Sequence, residues 1–155
     1  MEIAAILNPD SVVAKLHVGS KKQALQELAK RAAALTNLPE RQIFDVILER
    51  ERLGTTGVGG GIAIPHGRLP KLEQICGLFA RLDQPIDFES IDEQPVDLIF
   101  MLLAPETAGA DHLKALARVS RLLRDRAVTE KLRGSDSRDA LYALLTESNG
   151  AIKAA

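Results

Sequence analysis

The chain has 155 residues, enough for one domain to bury about 68–70% of its unfolded surface, and its 20 basic residues are interspersed with 21 acidic ones for a formal net charge of −1. That balance argues against the basic footprint of a nucleic-acid binder and against a polybasic membrane surface, while 3% aromatic residues with no tryptophan leave few platforms for base stacking. The opening MEIAAILNPD lacks the basic region of a signal peptide, and the longest apolar run, Leu98 to Ala104, is far shorter than the ~20 residues of a membrane helix.

No internal repeat or low-complexity segment appears, so residues 1–149 read as one domain, with GAIKAA from Gly150 to Ala155 as a flexible tail. Val12 to Val18 is a candidate strand. Ser20 followed by Gln23 has the form of a helix start, opening a helix to about Thr36. Pro39 suits the first turn of a second helix, which runs to about Leu53 and stops at Gly54. Three apolar runs follow: Gly61 to Pro65, Ile75 to Leu82 and Val96 to Ala104. The last has no alternation, which predicts a strand covered on both faces. The single cysteine, Cys76, cannot form an internal disulfide and reads as a buried small hydrophobe, consistent with a reducing cytoplasm. Helical patterns then span about Ala110 to Arg124, Ala127 to Arg133 and Ser137 to Glu147. Strands flanked by helices at both ends of the chain predict an α/β sandwich with a mixed sheet and helices on both faces. The turn-rich stretch Asp83 to Pro95 has room for an antiparallel edge element.

Several residues sit uneasily in a purely structural reading. Ile43, Val46 and Ile47 form an apolar helical stripe whose next position is Arg50, whereas Asp45, Glu49 and Arg52 mark the solvated side. Arg50 is either a cation favouring the helix C-terminus, with its stem along the surface, or a partly buried guanidinium aimed at an anion. His112 lies on the edge of a stripe continued by Leu116, Val119 and Leu123. It is a core histidine or a ligand-facing one, and its place after the Val96–Ala104 strand puts it where α/β sheets bind ligands. His66, between Pro65 and Gly67, is set for presentation at an exposed turn, or is merely a loop residue. His17 has no companions and reads as structural.

The glycine-rich stretch before His66 fits neither G-x-x-x-x-G-K-[ST] nor G-x-G-x-x-G, and it follows a helix and leads into a strand, the reverse of a nucleotide loop. Thr55, Thr56, Gly57, Gly59, Gly60 and Gly61 are instead a candidate phosphate nest of backbone and hydroxyl donors, or a flexible connection. Two histidines without a closely spaced carboxylate make a weak metal signature, so no metal is expected. A neutral imidazole is a competent nucleophile near neutral pH, and phosphoryl transfer asks mainly for in-line positioning and donors. His66 as acceptor, Arg50 as charge partner and His112 as second imidazole would supply these.

The segments Arg50-Glu51, Gly54-Thr55-Thr56-Gly57, Gly61-Ile62-Ala63-Ile64-Pro65-His66-Gly67, Pro85 to Pro105 and His112-Leu113 resemble the IIA components of the bacterial phosphoenolpyruvate-dependent phosphotransferase system, fructose/mannitol class. Within it, the layout from Ser20 onward is most like the nitrogen-regulatory branch. The resemblance implies a three-layer α/β fold, a phosphohistidine on Nε2 of His66, and Arg50 and His112 in the same site. It implies no cofactor. The phosphoryl donor would be an HPr-like carrier protein, and the chain a stoichiometric cytoplasmic carrier rather than a free-standing turnover enzyme. Regulatory targets would include potassium-transport regulators and sensor kinases. Where the nitrogen-regulatory pattern often has Gly-Asn-Gly, this chain has Gly59-Gly60-Gly61, without the side-chain amide. Two alternatives are a sugar-specific IIA that feeds a IIB domain and a non-catalytic module that binds an anion or partner.

Overall fold

The structure, a computed structural model, describes residues 2–154, with side chains as far as Glu147. The most apolar segment forms strand β6 (Val96–Pro105). Its lack of alternation has a direct cause: Ile99, Met101 and Leu103 face one hydrophobic core, while Leu98, Phe100 and Leu102 face a second. Successive strand side chains point to opposite faces, so both faces of β6 are covered.

Around it lie β1 (Val12–Leu16), β2 (Gly57–Gly59), β3 (Ile62–Ala63), β4 (His66–Leu69) and β5 (Cys76–Ile86). The six-stranded sheet has the order β1-β5-β6-β3-β2, with β4 also pairing β6. β1 runs parallel to β5, β5 is antiparallel to β6, and β3 and β4 are both parallel to β6. The sheet is therefore mixed. The antiparallel element sought within Asp83–Pro95 is not at the edge, because β5 itself continues to Ile86 and pairs with Val96 in the middle of the sheet. The antiparallel edge is the β2–β3 hairpin, drawn from the glycine stretch.

Helices α1 (Lys21–Thr36) and α2 (Glu40–Arg52) cover one face. Helices α3 (Ala110–Arg124), α4 (Arg126–Arg133) and α5 (Arg138–Ala154) cover the other, together with short 3-10 turns at Ile3–Ala5 and Pro9–Ser11. Their ends follow from capping chemistry. The Ser20 hydroxyl accepts from the Gln23 N–H at 3.2 Å, and the Gln23 side chain accepts from the Gly19 N–H at 2.8 Å, which satisfies donors that the first helical turn leaves free. Asn37 closes α1 in the left-handed conformation at φ 61°. Pro39 is the N-cap of α2 rather than part of its first turn. The Asp125 carboxylate accepts from the N–H groups of Ala127 and Val128, starting α4 at Arg126. The backbone of α5 continues through Ala154; side chains in the tail expected from Gly150 lie outside the described residues.

Two further residues depart from expectation. Cys76 is half-buried at the start of β5 rather than enclosed. His17 lies just past β1, exposed, with Nδ1 2.9 Å from the Asp83 carboxylate, because β1 ends at Leu16. Among the described residues no helix is long and apolar enough to cross a membrane.

One close approach positions the rest of the molecule around the site. Helix α2 lies against β4 at Gly67, where an added Cβ would sit 2.5 Å from Cγ1 of Val46. Only a residue without a side chain lets the helix come this near. Gly67→Ala is therefore expected to overpack the contact and cost about 1–3 kcal/mol of stability, measured by urea unfolding; an unchanged midpoint would show that α2 yields freely.

Candidate functional site

β3 and β4 lie end to end along β6, with Ala63 opposite Ile99 and His66 opposite Leu102. Ile64 and Pro65 fill the break. Proline has no N–H to donate to a ladder; its carbonyl accepts from Leu102 at 2.9 Å, while the Ile64 N–H turns to the Thr56 carbonyl at 3.0 Å. The turn brings the Ile64 carbonyl to 2.9 Å from Nδ1 of His66. His66 is thus the half-buried first residue of β4, not the tip of an exposed turn, because the strand restarts at the histidine itself.

On the other side of the ring, Nε of Arg50 lies 3.2 Å from Nε2. A guanidinium has donors only and stays protonated. Nε2 must therefore accept, which leaves the proton on Nδ1, where it is donated to Ile64. The ring's free electron pair faces Arg50. Nη1 of Arg50 donates to the Gly54 carbonyl at 2.9 Å, so the guanidinium is anchored at the helix end while its Nε reaches inward. Arg50 lies in the last turn of α2, and its Nε faces the His66 ring.

The stripe of α2 also ends in a second charge, and that one the sequence pattern did not single out. Glu51 is 7% exposed. Its carboxylate pairs with Lys21 at 3.0 Å and accepts from both the N–H and the hydroxyl of Thr56, while Lys21 also lies over the Phe88 ring, 4.7 Å from its centroid. A buried carboxylate persists only when paired and hydrogen-bonded in this way. The network ties α1, α2 and the start of the glycine stretch together behind Arg50.

His112, in the first turn of α3, is 5% exposed. Its ring stands edge-on to that of His66, with centroids 5.7 Å apart. Nδ1 accepts from Nε of Arg68 at 3.0 Å, so its proton resides on Nε2. That N–H is buried and has no partner among the described residues, a condition that ordinarily costs about 1–3 kcal/mol. Arg68 escaped the sequence reading. It stands two residues after His66 in the same strand, hence on the same face of the sheet, and that spacing becomes a signal only once His66 is known to begin a strand.

The glycines do not join this cluster. Ile62 pairs with Leu98 and His66 with Leu102, a separation of four residues or roughly 13 Å along the sheet. Gly59, Gly60 and Gly61, all at positive φ (100°, 67° and 82°), make the β2–β3 turn at the far end. The Gly60 N–H donates to Asp92 at 3.0 Å, and the Gly60 carbonyl accepts at 2.7 Å from Arg133, itself paired with Asp97. Gly57 is packed against Ser90. Thr55 spends its hydroxyl proton on the Phe88 carbonyl and Thr56 its own on Glu51. These six residues build the edge hairpin and its connection to α2, while Arg50, His66 and His112 converge.

Burial holds the His66 imidazole below the ordinary histidine value; the Ile64 hydrogen bond opposes the shift, Arg50 adds to it and Glu51 opposes it. His112 is also lowered, chiefly by burial, then by His66 and Arg68. Exposed Leu53 and Leu113 flank the two helix ends beside the site. Among the described residues, no group of three or more His, Cys, Asp or Glu could hold a metal.

Residues 5–148 match the family model described as "Phosphoenolpyruvate-dependent sugar phosphotransferase system, EIIA 2". The chain belongs to this family. A relative named "Nitrogen regulatory protein" from Bradyrhizobium diazoefficiens is 63% identical over 145 residues, which cover 94% of this chain and 95% of the relative. The crystal structure of nitrogen regulatory protein IIA-Ntr from Neisseria meningitidis superposes with a TM-score of 0.88 at 36% identity, covering 93% of this chain and 99% of that one. IIA mannitol from Escherichia coli shares the fold, with a TM-score of 0.76 at 20% identity over 90% of this chain and 98% of that one. This EIIA 2 chain is therefore an α/β sandwich of the three-layer kind.

Two outcomes follow. With folded-state values below the unfolded one, the unfolded chain binds more protons as acid is added, so the stability contributed by the two neutral histidines is complete above about pH 6.5 and is lost as pH falls through their lowered values. Urea unfolding across a pH series should show this loss, and His66→Gln with His112→Gln should flatten it. Separately, Glu51→Ala leaves the buried N–H and hydroxyl of Thr56 without their acceptor and Lys21 with only the exposed Glu89 as ion partner, and is expected to cost about 3 kcal/mol, measured by the same unfolding.

Proposed function

We propose that this EIIA 2 protein is a histidine phosphocarrier that receives a phosphoryl group from an HPr-like carrier protein on Nε2 of His66 and serves as a regulatory component linked to nitrogen and potassium status. The observation that carries this reading is the free electron pair on Nε2 of a neutral, half-buried imidazole, facing a guanidinium that pairs with no carboxylate among the described residues. Such a nitrogen is a nucleophile, and such a guanidinium awaits an anion.

The transfer balances without a proton at the acceptor. The N–P bond on the donor histidine breaks, its electron pair returning to that nitrogen, as the Nε2 pair of His66 forms the new N–P bond. Nδ1–H stays on the Ile64 carbonyl throughout. As phosphorus takes the Nε2 electron pair, Nε of Arg50 loses its acceptor and turns to the phosphoryl oxygens, still held by Gly54 through Nη1. The Nε2–H of His112, the second active-site imidazole, supplies another donor to those oxygens, which removes its own deficit. Catalysis here is positioning plus preset donors.

The regulatory role rests on likeness: the relative at 63% identity is named a nitrogen regulatory protein, and the match spans almost the whole of both chains. The sugar-specific alternative is less favoured on the same ground. Potassium-transport regulators and sensor kinases are the expected classes of target.

Incubation with phosphoenolpyruvate, enzyme I and the carrier should add one acid-labile phosphate, absent in His66→Ala; labelling that persists in this variant would remove His66 as acceptor. Arg50→Ala should slow transfer about 10²–10³-fold, as for loss of one preset donor, while changing stability by less than about 1 kcal/mol, as expected of a partly exposed side chain. Rapid-quench transfer assays beside urea unfolding would separate the two, and normal transfer with a large stability loss would make Arg50 structural.

A further inference from the structure

Two imidazoles face each other at 5.7 Å, yet only one can be the acceptor if the other is to help it. What distinguishes them is where each carries its proton. His66 is held with Nδ1–H on a backbone carbonyl and Nε2 open. His112 is held the opposite way, and the group that holds it is Arg68, whose Nε–H points at Nδ1 from 3.0 Å.

We infer that Arg68 is a positioning residue for phosphoryl transfer: by donating to Nδ1 of His112 it fixes that ring as the Nε2–H tautomer, so that the inward nitrogen is a hydrogen-bond donor to the phosphoryl group and not a competing nucleophile. The inference rests on the reading of His66 as phosphoryl acceptor.

Three features of the structure support it. A neutral imidazole has two tautomers of similar energy, and which one is present is set by the bond made at the other nitrogen. Arg68 is the partner found at Nδ1, and a guanidinium can only donate. The N–H thereby directed inward is buried and unpartnered in the uncharged protein, as a donor reserved for an incoming acceptor would be. Without Arg68, Nδ1 can take the proton and turn it toward solvent, leaving a lone pair on Nε2 to repel phosphoryl oxygens. Arg68 itself is exposed, and its polar partner is Nδ1 of His112, so its replacement leaves the packing of the fold intact.

The test begins without phosphate. Long-range proton–nitrogen NMR of the full chain, well above the titration range of its histidines, reads the protonation of each ring nitrogen. In the wild type, Nδ1 of His112 should be unprotonated; in Arg68→Ala and Arg68→Gln its signal should move toward the protonated position, and Arg68→Lys should restore it. Transfer from the phosphorylated carrier to His66 should fall roughly 10- to 100-fold in Arg68→Ala, a graded loss beside that of a wrong tautomer in a catalytic triad. The same substitution should have no further effect in a His112→Ala background. An Nδ1 that stays unprotonated in Arg68→Ala overturns the inference, as does an equal loss of rate with His112 absent, which would put Arg68 directly on the phosphoryl group or the carrier. Failure of the acceptor reading is recognised separately, as wild-type protein that takes no label on His66; the role in transfer then falls with it, whatever the NMR shows of Arg68 and His112.

Discussion

The hydrogen bond from Nδ1 of His66 to the carbonyl of Ile64 decides what the centre of this protein can do, and much of the surrounding backbone serves to make it. It needs a carbonyl turned out of the sheet two residues before the ring, which a continuous strand does not offer. Pro65 creates that interruption, and β6, apolar on both faces, holds the two short strands on either side of it in register. With Nδ1 committed, Nε2 can only accept, and Arg50 can approach it. Gly67 then lets α2 come close enough for the approach to happen. The chain of causes runs from a proline and a glycine, through strand register, to the electronic state of one nitrogen.

Charge is handled differently at the two ends of the short glutamate–arginine pair in α2. Glu51 is fully committed, to Lys21 and Thr56, and so behaves as structure. Arg50, its neighbour, is anchored through one nitrogen and directed with another. One acid and one base adjacent in sequence thus point to different tasks, because a helix turns successive residues about 100° apart.

The elements legible in the sequence were those governed by local rules. The cap at Ser20, the lack of alternation in β6 and the stripe of α3 all act over a few residues, and the helices appeared close to where those rules place them. Convergence of Arg50, His66 and His112 was also readable, since each breaks an apolar pattern near an element end. What stayed hidden depends on pairing between distant segments. A two-residue strand such as β3 has no period to detect, and β4 opens on a histidine. Without that register, Arg68 looks like any surface arginine and the glycine turn reads as a neighbour of His66 when it belongs to the other end of the sheet. Glu51 was obscure for a related reason: its partner Lys21 is 30 residues away in sequence, in a helix that reads as solvated at its start.

The placement of the reactive groups on strands and helix ends, with cationic side chains and exposed Leu53 and Leu113 around them, bears on how such a site could signal. A phosphoryl group transferred with Nδ1–H retained adds a net charge of about −1 and three strong acceptor oxygens, set here among fixed elements. The same surface would then offer partners a cationic rim around apolar contacts in one state and an anionic centre in the other. Information would be carried as the sign of a local potential over an almost unchanged shape, so that a partner needs only one well-placed charge to tell the two states apart.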